Sequence, residues 1–220
     1  MSTVAIIGAH GQIAQILGKE LVARGHEVLG AIRNGDHSSE LEALGVKPVL
    51  FDIESEDADV LASRIPEADV VVFAAGAGGN SGPERKHTVD FLGSVISIGA
   101  AQKIGASKFL QISYIGVDGP APESDDESWN AYAKAKKAAD DALRASDLAW
   151  TIVRPGHLSD EPASGTVTIA ESLSTGATSR ANVALVLAEL VDSENTGHRA
   201  LDVLDGDVAI AEAVEEFLGE

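Results

Sequence analysis

Val4-Ala5-Ile6-Ile7 is an unbroken apolar run that stops at Gly8 and Gly11, after which Ile13, Ile16, Leu17, Leu21 and Val22 recur at helical spacing. The run reads as a strand buried on both faces and the later group as one side of a helix. This alternation continues along the chain. It predicts strands at Thr3–Gly8, Glu27–Ile32, Lys47–Phe51, Asp69–Ala74, Lys108–Ile112 and Ala149–Val153. Between them it predicts helices at Gly11–Arg24, Ser38–Leu44, Asp57–Ile65, Glu84–Lys103 and Ser128–Ala145. Gly25 and His26 close the first helix in the manner of a C-cap. The remainder predicts a short strand at Thr166–Ile169, a helix at Ala181–Leu190 with Ser179 as its N-cap, a strand at Ala200–Leu204 and a helix at Val208–Leu218. Apolar strands separated by helices predict a parallel sheet covered on both faces, with right-handed crossovers. No compositional break or solenoid-length repeat divides the chain, so residues 1–220 read as a single domain, with 155–220 as a small substrate-side region.

The first strand–turn–helix has the form G-x-x-G-x-x-A over Gly8, Ala9, His10, Gly11, Gln12, Ile13 and Ala14. Gly8 permits a tight turn, Gly11 lets a pyrophosphate approach the backbone, and Ala14 lets the helix pack against the strand. The backbone of His10, Gln12 and Ile13 leads into the helix N-terminus, whose free N–H groups suit phosphate. Arg33 ends the second strand about 20 residues past this turn, where a residue meets the adenosine ribose. An acid there accepts from a free 2′-hydroxyl, whereas an arginine pairs with a 2′-phosphate. NADP(H) is therefore expected over NAD(H), with Asp36 nearby as the residue able to take the NAD role. Asp52 and Ile53, after the third strand, are placed to meet adenine. Ala74, Ala75 and Gly76, after the fourth, are small enough to let ribose and diphosphate pass.

Tyr132 and Lys136 stand at i,i+4 on one predicted helix, with phenol and ammonium on a common face. A lysine so placed can hold a ribose and lower the tyrosine's pKa, fitting it for proton transfer. The fifth strand ends in Ser113-Tyr114-Ile115-Gly116, at the carboxyl edge where such sheets place ligands. Backbone groups at Pro155, Gly156, His157 and Leu158 are expected to meet the nicotinamide amide, with His157 able to reach substrate space. Lys86 and His87 read as surface residues, and Gly119–Ser128 as a lid or an exposed loop.

Composition narrows the reading. The 220 residues are 45% hydrophobic, enough for a full core, and include no cysteine, which excludes disulfides, thiolate metal sites and cysteine nucleophiles. No metal site is expected. No apolar run reaches the length of a membrane span and the N-terminus lacks a signal pattern, so a cytoplasmic protein is expected. Acidic residues number 35 against 16 basic, a net charge of −19, with a local concentration at Glu123–Glu127. Such a surface repels nucleic acid and anionic membrane, leaving a small molecule as the expected partner and a monomer or homodimer as the expected assembly.

Together Gly8–Ala14, Arg33-Asn34, Phe51-Asp52-Ile53, Phe73–Gly76, Gln111–Ser113, Tyr132–Lys136, Val153–Gly156 and Ser179–Ala184 resemble the atypical NAD(P)H-binding branch of the short-chain dehydrogenase/reductase superfamily. That branch is similar to the epimerase/dehydratase group with a reduced substrate domain. The resemblance implies a three-layer α/β fold, a Rossmann-type doubly wound sheet with cofactor across its carboxyl edge. It implies Tyr132 and Lys136 as the catalytic pair, with Ser113 opening the stretch that holds the catalytic hydroxyl. Where the family often supplies a hydroxyl just after that position, this chain has Tyr114 and Ile115, so Tyr114 is an alternative donor. The implied activity is NADPH-dependent reduction of a small carbonyl, quinone or related acceptor. The alternatives are a nucleotide-sugar epimerase or dehydratase, a flavin or tetrapyrrole reductase, and a non-catalytic NADP sensor.

Overall fold

A computed structural model describes residues 1–79, 81–119, 124–194 and 196–219. The first half alternates as expected: β1 (Thr3–Ile7), α1 (Gln12–Ala23), β2 (Glu27–Ile32), α2 (Ser38–Ala43), β3 (Lys47–Leu50), α3 (Ala58–Arg64) and β4 (Val70–Phe73). A short α4 (Pro83–Arg85) then runs through a π-helical stretch, Lys86–Leu92, into α5 (Gly93–Ile104). β5 (Lys108–Ile112), α6 (Glu127–Arg144) and β6 (Trp150–Pro155) follow. The C-terminal part holds β7 (His157–Ser159), β8 (Thr166–Ala170), β9 (Ala177–Ser179), α7 (Arg180–Asp192), β10 (Arg199–Asp205), β11 (Val208–Ala209) and α8 (Ile210–Leu218).

The main sheet runs β11-β8-β10-β6-β5-β4-β1-β2-β3. Seven of these strands, from β10 to β3, are parallel; β8 runs antiparallel to β10, and β11, antiparallel to β8, completes that edge. Because successive strand residues point to opposite faces, Val4 and Ile6 of β1 enter one core and Ala5 and Ile7 the other. The first core is closed by α1, α2, α7 and α8, the second by α3, α5 and α6. This is the three-layer arrangement that continuous apolar strands require.

Local chemistry sets the helix ends. Asp57 caps α3 by accepting from Asp59 and Val60 N–H, and Ser179 caps α7 by accepting from Asn182 N–H at 3.0 Å. Gly25, at φ +88°, and His26 return N–H bonds to Val22 and Leu21 and end α1.

Three local expectations change. The helix expected over Glu84–Lys103 is interrupted by the π stretch, whose wider turn keeps Lys86, Val89 and Asp90 all facing inward. His157–Ser159 and Ala177–Ser179 pair in a separate two-stranded parallel sheet. Val208 and Ala209 extend as a strand before the last helix starts. Of the Gly119–Ser128 loop, residues 120–123, including the first acid of the Glu123–Glu127 cluster, lie outside the described residues.

Candidate functional site

The order of the sheet reverses between β1 and β4, and ligands in such sheets bind beyond the carboxyl ends of the strands at that point. A cleft of about 460 Å³ opens there. Gly8, His10, Gly11, Arg33, Ile53 and Ala74–Gly76 all line it, together with Arg85. Gly8 adopts φ +84°, and a methyl group on it would lie 2.6 Å from the Ala75 Cα. Gly11 is the N-cap of α1, with its N–H bonded to the Gly8 carbonyl at 3.0 Å. Glycines at both ends of this turn thus bring its backbone to the cleft, which fits a diphosphate held by backbone N–H groups.

The remaining turn residues divide. Gln12 donates to Asp160 at 3.4 Å, linking the turn to the C-terminal region, and Ile13 is half-buried against the core. The His10 ring stacks on His37 at 3.5 Å between centroids and pairs with Glu40 at 3.1 Å. His10, His37 and Glu40 bring ligand atoms within 4.8 Å of one another. Stacked imidazoles aim their lone pairs side by side, however, so the rings would have to turn before one ion could take both.

Just past the end of β2, Arg33 donates from Nη1 to Glu54 Oε2 at 3.0 Å. Arg85 donates to the same oxygen from Nη2 at 2.9 Å, and Thr88 Oγ1 donates to Oε1 at 2.7 Å. Hydrogen bonds from Arg85 and then Thr88 hold the Glu54 carboxyl below its ordinary range. Asp36 lies in a tight turn where its N–H bonds to Asn34 Oδ1. Asp52 is turned to local work, accepting from Glu54 N–H at 3.1 Å, while Ile53 faces the cleft.

Beyond the cleft, Lys136 on α6 is buried, donates to the Ile112 carbonyl at the end of β5, and lies 5.9 Å over the Phe73 ring at the end of β4. Burial pushes its ammonium down, opposed by Asp90 and Asp140. Tyr132, half-buried one turn earlier, packs against Tyr114 and Trp129 at 5.6 and 5.5 Å between ring centroids. The expected lowering of its pKa is reversed. Burial, then Asp90, pushes the phenol well above its ordinary value, because both disfavour a phenolate.

Ser113 is buried and donates to Asp140 Oδ2 at 2.8 Å, while Gln111 donates to Asp140 Oδ1 at 2.7 Å. Its hydroxyl is engaged with α6. Pro155 to Leu158 form the root of the small sheet: Pro155 O accepts from Ile115 N–H, Gly156 N–H is shared by Val203 O and Thr178 Oγ1, and His157 N–H bonds to Gly176 O at 2.8 Å. The His157 and Leu158 side chains are exposed.

Sequence reasoning missed four residues. Lys86, expected on the surface, is buried, donates to Gly78 O at 2.8 Å and sits 5.4 Å over the Tyr132 ring. Asp90 is buried one π turn later and accepts from Ala77 N–H at 3.1 Å. Arg85 gave no local signal. Asp140 did, since Tyr132, Lys136 and Asp140 continue one four-residue spacing along a single helical face.

Comparison with known proteins agrees with this fold. The model of an NAD(P)H-binding family matches residues 8–194. The Bacillus subtilis protein YhfK, named an uncharacterized sugar epimerase, is 36% identical over 97% of this chain and 99% of its own. A Bacillus halodurans structure, provisionally named an NAD-dependent epimerase/dehydratase, superposes with TM-score 0.92 at 35% identity over 99% of this chain and 100% of its own. The oxidoreductase ylbE of Lactococcus lactis superposes with TM-score 0.86 at 26% identity over 99% and 97%. Among the described residues no helix is long and apolar enough to cross a membrane. The chain belongs to the NAD(P)H-binding family and has the oxidoreductase-like, Rossmann-type fold of its epimerase/dehydratase-like members.

Proposed function

We propose that this protein is an NADPH-dependent reductase of a small carbonyl, quinone or related conjugated acceptor. One observation carries the reading. Tyr132 and Lys136 share a face of α6, and the lysine is anchored between the ends of β4 and β5, beside the Ala74–Gly76 wall of the cleft. The bound nicotinamide would supply hydride at C4. Lys136, short of water, holds the ribose side of the site. Tyr132, whose phenol keeps its proton throughout the neutral range, donates it to the oxygen that gains charge as the acceptor is reduced. Arg33, at the ribose end, supports NADPH over NADH.

Tyr132→Phe should lower carbonyl reduction by about 10²–10⁴-fold while leaving NADPH binding intact. Unchanged turnover would remove Tyr132 from the chemistry. Reduction by the wild type should stay level through neutral pH and decline only in the alkaline range as the phenol ionises, whereas oxidation of the product alcohol should rise over that same range. A neutral inflection in a Tyr132-dependent reduction would contradict the assignment.

A flavin or tetrapyrrole as acceptor is the second reading. The mutually packed rings of Tyr114, Trp129 and Tyr132 favour it, since flat conjugated molecules stack on such surfaces. Flavin reduction that survives Tyr132→Phe would select it.

A further inference from the structure

In a chain with 35 acidic and 16 basic residues, only one carboxylate, Glu54, lines the cleft among the described residues. It is also the carboxylate on which both cleft arginines converge. Three separate segments build the cluster: Arg33 from the end of β2, Glu54 from the turn after β3, and Arg85 with Thr88 from α4 and the π stretch. Oε2 takes both guanidinium groups and Oε1 takes a hydroxyl. Two guanidiniums and a hydroxyl around one anion are the donor set of a phosphate monoester.

We infer that Arg85 and Arg33 together form the 2′-phosphate site of the cofactor, and that Glu54 is a resident anion which the phosphate displaces. The inference rests on the NADP reading above and adds the residues that set the selectivity. A phosphate monoester carries about −1.5 to −2 charges against −1 for a carboxylate, and offers three oxygens in place of two. It can therefore satisfy both arginines, each by its planar fork. The Arg33 and Arg85 side chains are 57% and 41% exposed, so they reach an incoming ligand without unpacking the core. Glu54 meanwhile keeps the two cations paired in the free protein. An uncharged 2′-hydroxyl gives neither arginine a reason to leave Glu54, so NAD(H) gains nothing from the cluster.

The test is calorimetric titration with adenosine 2′,5′-bisphosphate and with adenosine 5′-monophosphate, which differ only in the 2′-phosphate. The wild type should prefer the bisphosphate. Arg85→Ala should weaken the bisphosphate by about tenfold, the loss of one charge-assisted pair, and leave the monophosphate within about twofold. Arg85→Lys, which keeps the charge and loses the fork, should fall between. Glu54→Gln should tighten the bisphosphate several-fold. If Arg33→Ala abolishes the preference and Arg85→Ala and Arg85→Lys do not change it, Arg33 reads the phosphate alone. The inference then fails while the NADP reading stands. Weaker bisphosphate binding in Glu54→Gln would overturn the displaced-anion role. A wild type indifferent to the 2′-phosphate would overturn the NADP reading itself. Thermal melts of each variant separate a lost contact from a lost fold.

Discussion

At Gly8 the backbone stands at φ +84° and Ala75 approaches to within van der Waals distance, so any Cβ meets two penalties together. The left-handed conformation alone costs an L-residue about 1–2 kcal/mol, and the contact with Ala75 backbone has no flexible side chain to yield. Gly8→Ala should therefore lower the melting temperature and cut NADPH affinity by more than tenfold, read by thermal melt and nicotinamide fluorescence. Wild-type values in both would mean that the two strand ends separate freely. This glycine was legible in the sequence, as were Gly11, Arg33, Tyr132 and Lys136, because each is tied to a motif by short-range spacing. Arg85, Lys86 and Asp90 were not, since their surroundings come from chain segments that no local pattern connects. Asp52 and Ser113 were read at their positions, but neighbours claim their polar atoms: Glu54 N–H for one, Asp140 for the other.

α6 is fixed to the sheet through Asp140, the shared acceptor for Ser113 and Gln111 of the β5 edge. Ser94 of α5 extends the chain by donating to Gln111 at 2.6 Å. Asp140→Ala strands two buried donors and removes a carboxylate beside Lys136, a loss of about 1–3 kcal/mol per unsatisfied group. Urea denaturation should show a drop of that order, and the proposed reductase activity should fall with it because Tyr132 and Lys136 ride on the same helix. Full stability in the variant would show that packing alone seats α6. Helix and strand identities were legible because long periodic runs decide them. The π stretch was not, because the side chains it turns inward include Lys86 and Asp90, which no apolar recurrence marks, while it leaves Leu92 exposed. β7 and β9, at three residues each, are too short to show a period.

Over the whole molecule the three-layer parallel plan was legible in the alternation of apolar runs and amphipathic segments, whereas the antiparallel direction of β8 was not, since an apolar run carries no direction. Net charge governs the pH response. Asp140 and Asp202 are held above their ordinary values, chiefly by burial, so the folded protein takes up their protons more readily than the unfolded chain and gains stability as pH falls from neutrality. Asp118 and Asp192 are held below theirs by Arg144, Arg154, Arg24 and His26, against the pull of burial. Their contribution is present above the ordinary carboxylate range and disappears as pH falls through it. Melting temperature should therefore peak at about pH 5–6 and decline below about pH 4. At pH 7 added salt should raise it by screening the self-repulsion of −19 charges. A melting temperature highest above pH 8 in low salt would contradict both expectations. Finally, α1 buries Leu17 and Leu21 in the same core as Val186, Leu187 and Leu190 of α7, and Arg24 clasps Glu189 and Asp192 at 2.7 and 2.9 Å. The helix whose N-cap lines the cleft is thus covered by a partner made some 160 residues later on the ribosome. During synthesis the nucleotide turn emerges early but waits on the far end of the chain for its support, so a nascent chain halted after β6 should bind cofactor poorly and call on chaperones.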